Sequence, residues 1–312
     1  MTVAASAGWN NLAQGNFVPE VFSKDVLKYF RKDAVAMDIT NTDYFGEIAA
    51  FGDTVNIVKE PTIVVADYTR GLNLEVQDLV DDGDTLTVDQ AKYFAFGVDD
   101  IEAKVSHLNW ETLATSAASY AIKDSFDAAI FTYILAQATT VANKIGGDGA
   151  TASNSLSQTT NGVDLGYASG EVSPLAVMNR ASRLLDDQNV PSDGRWFAAE
   201  PEFWEIMGDE NSKLLDGQFS QDSDSKLRNG LVTKGEIRGF RCYKSNNLPT
   251  PASATGVAEF GHQSAVATAS QIAKTEVIRH PNTFADVVRG LHIYGRKALR
   301  PEAIGRAYYV ID

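Results

Sequence analysis

Between Val98 and Ile145 the chain contains neither glycine nor proline, and nine alanines fall between Asn109 and Asn143. No other feature constrains the fold as much. Alanine surrenders no side-chain entropy in a helix, and glycine and proline are the two strongest interrupters of one. Leu113, Ala117, Tyr120, Ala121, Asp124, Ala128, Phe131 and Leu135 recur at helical spacing on one face, and Ile122, Phe126, Ile130 and Ile134 on an adjacent one. Asn109 with Glu111 is placed to cap the start, and Lys144 before Gly146-Gly147 to close the end. Such a helix is on the order of 50 Å long, against a globular average of about 11–12 residues. Its length alone suits the frame of an enzyme as well as any other architecture.

The residues before it follow a different period. Thr54-Val55-Asn56-Ile57-Val58 reads as a short strand ended by Pro61; Leu86-Thr87-Val88 and Phe94 to Val98 alternate, which puts Phe94, Phe96 and Val98 on one face. Between them runs an acidic stretch with Glu75, Asp78, Asp81, Asp82 and Asp84, and the acids around Gly83 suit a turn. Together these residues predict a long hairpin with little to bury. Two strands alone are marginal in water, so the hairpin is expected to rest on a neighbour. Ahead of it, Val21, Phe22, Val26, Leu27, Tyr29 and Phe30 form a modest apolar stripe. That stripe fits an arm packing on something else or an ordinary first helix of the core.

After the long helix, residues 146 to 173 are rich in Gly, Ser, Thr and Asn and predict an exposed loop. A compact region follows: a helix from Pro174 to Asp187, a buried strand Trp196 to Ala199, and a helix opened by Pro201 and running to Met207. Residues 216 to 230 read as a polar loop. Ile237 to Tyr243, Val257 to Phe260 and the terminal Ala307 to Ile311 read as strands. The class is α+β, and no internal repeat is visible.

Twenty-seven basic against 41 acidic residues leave a formal charge of −14. DNA binding draws its affinity from cations that neutralise phosphates, so a sequence-reading DNA binder is disfavoured, whereas a container that must not adhere to its DNA is compatible. The single cysteine, Cys242, cannot form an intramolecular disulfide. No run of about 18 apolar residues is present, and residues 1–7 lack the features of a signal peptide, so folding in a cytosol and no membrane partner are expected.

No chemistry announces itself. His107, His262, His280 and His292 show no metal spacing, Cys242 has no histidine near it in sequence, and phosphate loops and the Gly-x-Ser-x-Gly elbow are absent. Asp81-Asp82-Gly83-Asp84 and Asp222-Ser223-Asp224 do not follow the calcium-loop pattern. Acidic pairs such as Asp99-Asp100 are too common here to single out an acid and a base. No catalytic, cofactor-binding or metal residue is assigned. Towards the C-terminus Arg279, Arg289, Arg296, Lys297, Arg300 and Arg306 outnumber the acids. They read either as a surface for acidic neighbours, the hairpin of another subunit included, or as solvated charge with local ion pairs.

In this order the pieces resemble the major capsid proteins of tailed bacteriophages with the Hong Kong 97-type fold. The stretches that carry the resemblance are Phe51 to Ile57 with Gly71-Leu72-Asn73, and Leu86 to Phe96 leading to Val98-Asp99-Asp100. Asn189 to Trp196 with Pro201, and Gly239 to Pro249, complete it. The resemblance implies an N-terminal arm (1–40), an extended hairpin loop (41–104), a peripheral domain with a spine helix (105–173), a compact axial domain (174–275) and a return to the peripheral domain (276–312). It implies copies of the chain in pentamers and hexamers of an icosahedral virion shell, assembled in the host bacterial cytoplasm around packaged DNA that is not read by sequence. A portal at one vertex belongs to that picture, and a decoration protein is left open. With the hairpin beginning near residue 51, a separate scaffolding protein is expected. The subunit contacts are assigned to Phe22, Phe30, Tyr68, Arg70, Asp81, Asp82, Asp84, Arg296 and Arg300. An encapsulin-type compartment resembles the same fold, and a soluble α+β hydrolase is the rival from another class.

Overall fold

The computed structural model describes residues 34–43, 54–61, 63–68, 70–71, 73, 76–78, 83–99, 110–138, 143–147, 156, 162–208, 236–250, 254–282 and 284–311. In chain order the elements are α1 (Ala36–Ile39), β1 (Thr54–Val58), β2 (Gly83–Thr87), β3 (Gln90–Asp99), α2 (Trp110–Gln137), β4 (Lys144–Ile145) and β5 (Val163–Asp164). Then come α3 (Pro174–Asp187), β6 (Arg195–Ala199), α4 (Pro201–Met207), β7 (Glu236–Ile237) and β8 (Phe240–Lys244). The chain closes with β9 (Gly256–His262), β10 (Val266–Arg279), β11 (Ala285–Ala298) and β12 (Ile304–Val310).

The strands form three sheets. The largest runs β4-β12-β9-β6-β8-β7, with β5 also paired to β12. Its central strand β6 is buried at every position, as befits a strand covered on both sides. Phe197 packs among Phe203 and Trp204 of α4, Phe240 of β8 and Phe260 of β9, at centroid distances of 5.4–6.3 Å. On the same face Arg195 reaches Asp186 of α3 at 2.7 Å and donates to the Val190 carbonyl at the end of that helix. Helix α3 starts where its sequence says it should: the Ser173 hydroxyl accepts from the Ala176 N–H, and Pro174 fills the first turn, where no N–H is needed.

Helix α2, 28 residues and so about 42 Å long, joins this body to the second sheet, ordered β10-β11-β3. Phe126 meets His292 and Tyr294 of β11 edge-on at 5.7 and 5.1 Å. Lys92 of β3 donates to the Ser125 carbonyl at 3.0 Å. The helix buries Phe126, Ile130, Phe131, Ile134 and Ala138 after it, so the isoleucine face is the core face, whereas Ala117 and Ala121 lie exposed. It also ends earlier than its glycines suggest. After Ala138 come Thr139, Thr140 and Val141, β-branched residues that favour extended backbone, and Lys144–Ile145 is a strand parallel to β12.

Further readings change in the strands. The hairpin pairs β1 with β2 alone, Thr54 opposite Thr87 through Val58 opposite Gly83. Gly83 and Asp84 therefore start a strand and are not a turn. The alternating Phe94–Phe96 segment belongs to β3, which pairs with β11. Ile237 to Tyr243 is two strands, because Arg238 and Gly239 both take left-handed backbone (φ 55° and 80°) and reverse the chain between them. β10 runs continuously through residues 275 and 276, and Val35, Ala36, Ile39 and Thr40 are buried.

Candidate assembly surfaces

The foot of the β1–β2 hairpin is anchored within its own subunit. Leu86 and Val88 join Ala267, Ala269 and Ile293 in a small buried cluster, with Val55 and Ile57 packed against it. Charge reinforces the foot: Asp84 accepts from Lys59 at 2.7 Å and lies 3.6 Å from Lys297. The Lys59 hydrogen bond holds the Asp84 carboxyl below its ordinary value.

Beyond the foot the character reverses. Val58, Ile63, Val64, Val65, Tyr68 and Val76 are exposed, Val65 and Val76 at 94% each. Ile63 to Tyr68 forms neither helix nor strand, and the Val64 N–H donates to the Gln77 side chain across the segment at 3.0 Å. A row of large apolar side chains in water is the informative observation, because single exposed ones are ordinary and a contiguous set marks a contact surface. A second set lies on the β10-β11-β3 sheet. Tyr93 and Leu291 are register partners and so share a face, and Tyr93 is 80% exposed. Val277 and Phe284 are exposed at the turn end of the β10–β11 hairpin.

Of the residues assigned from sequence, Tyr68 and Arg70 sit exposed on this segment, and Arg300 is exposed before the 3-10 turn Pro301–Ala303. Asp84 and Arg296 have partners within their own subunit. Arg296 lies over the Tyr133 ring at 4.7 Å and donates to the Ala129 carbonyl, which ties β11 to α2. Other C-terminal cations are paired locally, Arg279 with Asp286 and Arg289 with Glu276. Phe22, Phe30, Asp81 and Asp82 lie outside the described residues, as does the apolar stripe at 21–30. The charged residues of this stretch mask the apolar row in the sequence. Its signal was Ile63-Val64-Val65, an apolar triplet inside an otherwise polar stretch.

Groups with chemical potential elsewhere are held in structural roles. Cys242 is buried, and burial pushes its thiol up to about 12, far from the thiolate a nucleophile needs. His262 bonds to Ser264 and the Asp193 carbonyl. His292 bonds to Ser270 at 2.7 Å, and burial followed by the Lys92 charge lowers its pKa. Among the described residues no group of three or more His, Cys, Asp or Glu is placed to hold a metal.

Comparison with known proteins identifies the architecture as that of the capsid subunits of tailed phages, the Hong Kong 97-type fold. The chain superposes on a solved structure from Mycobacterium phage Che8 with a TM-score of 0.72 and 27% identity, covering 95% of this chain and 97% of that one. It superposes on the capsid of cyanophage P-SCSP1u with a TM-score of 0.71 and 17% identity, covering 96% and 94%. The mature capsid of bacteriophage PhiM1 gives 0.62 and 14%, covering 93% and 91%. No curated protein matches the chain. The family model for phage capsid protein matches residues 83–307, and the chain belongs to that family. It is a major capsid protein, a structural component of the phage head that assembles with copies of itself. The encapsulin reading is not favoured.

Proposed function

We propose that the subunit closes an icosahedral shell around packaged double-stranded DNA, with pentamers and hexamers formed about the region 174–275. In this reading a portal occupies one vertex, a separate scaffolding protein guides assembly in the host bacterial cytoplasm, and the DNA is enclosed without being read. The protein performs no catalysis of its own. Phe22, Phe30, Tyr68, Arg70, Asp81, Asp82, Asp84, Arg296 and Arg300 are the assigned contact residues, joined by the apolar row from Val58 to Val76.

One observation carries the reading: a hairpin whose foot is buried in its own subunit and whose outer part exposes six large apolar side chains. Isolated in water, that surface favours aggregation. Placed on an adjacent copy it is covered, and many repetitions of a modest contact make a stable shell. The acidic balance of the chain suits an enclosed polyanion that must stay free to leave.

The test is deletion of Ile63–Asp82, which removes five of the six exposed apolar side chains and stops short of Gly83 because that residue pairs with Val58. The shortened subunit is expected to melt cooperatively and to give no closed particles by electron microscopy. Normal shells from the deletion would refute the role assigned to this segment.

A further inference from the structure

Asp127 is fully buried in the middle of α2, where a carboxylate is costly unless its oxygens are occupied. They are occupied by partners remote in sequence. One oxygen accepts the backbone N–H groups of Val35 and Ala36, both at 2.7 Å. The other accepts from the Asn247 side chain at 3.0 Å, and the same amide reaches Asp124 at 2.8 Å.

The segment that begins at Val35 is fastened at its other end as well. The Thr40 hydroxyl donates to the Ala36 carbonyl at 2.7 Å and shares a 2.9 Å hydrogen bond with Thr268 of β10. Asn41 pairs with β10 through its N–H to the Val266 carbonyl and its carbonyl to the Thr268 N–H. Residues 35–41 are thus a clamp, closed by α2 at one end and by β10 at the other. Residues 1–33 precede this clamp in the chain, and the β1–β2 hairpin follows it.

The structure assigns to Asp127 the role of a positioning residue for assembly: by holding Val35 and Ala36 it sets where residues 1–33 and the hairpin depart from the body of the subunit. This rests on the reading that those segments contact neighbouring copies. A shell tolerates little error in the angle at which a connecting segment leaves, because each contact is repeated around every symmetry axis. Two backbone hydrogen bonds to one buried carboxyl acceptor give that rigidity where the clamp itself contains no long element, α1 being a single turn.

Full-length Asp127→Ala and Asp127→Asn are compared with the parent by amide hydrogen exchange, thermal melting and electron microscopy of the assembled product. In Asp127→Ala the Val35 and Ala36 amides are expected to exchange about a hundredfold faster, the scale of two net hydrogen bonds of about 1–1.5 kcal/mol each. Protection in Pro174–Asp187 should not change, and the yield of closed shells should fall at least about tenfold as misshapen products replace them. Asp127→Asn keeps a carbonyl oxygen for both amides and should fall between the two. Should the alanine variant not fold, Asp127→Asn and Asn247→Ala are read for the same quantities, and an intermediate exchange rate must accompany an intermediate shell yield. Unchanged exchange at Val35 and Ala36 would overturn the inference. So would parental shells from a variant whose clamp has loosened, and that result would leave the assembly reading standing, since assembly by the Ile63–Asp82 deletion is what refutes that reading.

Discussion

Glu259 offers the sharpest quantitative test of how this core is built. It lies in β9 with no exposed surface, and neither carboxyl oxygen has a hydrogen-bond partner among the described residues. Register places Ala198 of β6 and Arg306 of β12 directly opposite it, on the face of the sheet away from Phe197, Phe260 and α4. Arg306 lays its guanidinium over the Tyr308 ring at 4.4 Å and donates to the Tyr308 hydroxyl at 2.6 Å. Burial raises the Glu259 carboxyl well above the ordinary glutamate value of 4.5, which favours its protonated form. Replacing Glu259 by Met removes a buried polar group without partners, worth about 1–3 kcal/mol. With an unfolding entropy of roughly 2.1 cal/mol/K per residue, a chain of 312 residues should melt about 1.5–5 °C higher.

The pH dependence follows with a definite sign. A carboxyl whose folded pKa is raised retains its proton in the folded state after the unfolded chain has lost it. Stability is thus full below pH 4.5 and falls as pH rises towards the folded value, by up to about 1.4 kcal/mol per unit. Glu259→Met and Glu259→Gln should both lose that part of the slope, while only the methionine also gains the full stabilisation. Thermal melts of the unassembled subunit between pH 5 and pH 8 decide the matter. A methionine variant that melts below the parent and keeps the parental slope would show that Glu259 is ionised and paired, and would refute the argument.

Two smaller tests address the same core and its turns. Cys242, buried with its thiol pushed up to about 12, should resist alkylation at pH 8 in the folded subunit and react fully in denaturant, as followed by mass spectrometry. Gly239 has φ 80° with nothing within 4 Å of where a side chain would begin. Gly239→Ala should therefore cost roughly 1 kcal/mol in chemical denaturation through backbone strain alone, and Gly239→Asn less.

How far the sequence could be read depended on how local the determinants were. Helix α3 is announced by Pro174 and the apolar spacing after it, β6 by its unbroken apolar run, and α4 by Pro201. Their residue-level patterns match the structure because each is decided within a few neighbours. The strands β10 and β11, 14 residues each, carry no such signature. Their charged and small residues alternate only weakly, and they exist because each pairs with the other across a short turn and β11 pairs in addition with β3, more than 180 residues away in sequence. Such pairing is invisible to a local period. The end of α2 is similar: Lys144–Ile145 becomes a strand because β12 offers it an edge. The fastening of Val35 and Ala36 by Asp127 spans about ninety residues, and nothing in the spacing of those residues reveals it.

The distribution of burial then explains why the informative surfaces were legible only in part. Close to α2 the β10-β11-β3 sheet is covered, with His292, Ile293, Tyr294 and Gly295 all buried. Towards its turn end, between Ala285 and Leu291, only Val288 and Gly290 of β11 are buried, while Tyr93, Val277 and Phe284 face solvent. Three strands with so little core form the low-stability end of a subunit, so apolar side chains placed there gain most when another surface covers them. The same contrast divides the β1–β2 hairpin at its foot. In both places the covalent fold ends in buried residues of the subunit's own core and continues into apolar ones that this core does not reach. A sequence pattern ranks those two sets alike, since Leu86 and Val65 are both simply hydrophobic. Only the positions of the cores separate a residue that completes the subunit from one that stays exposed on its surface.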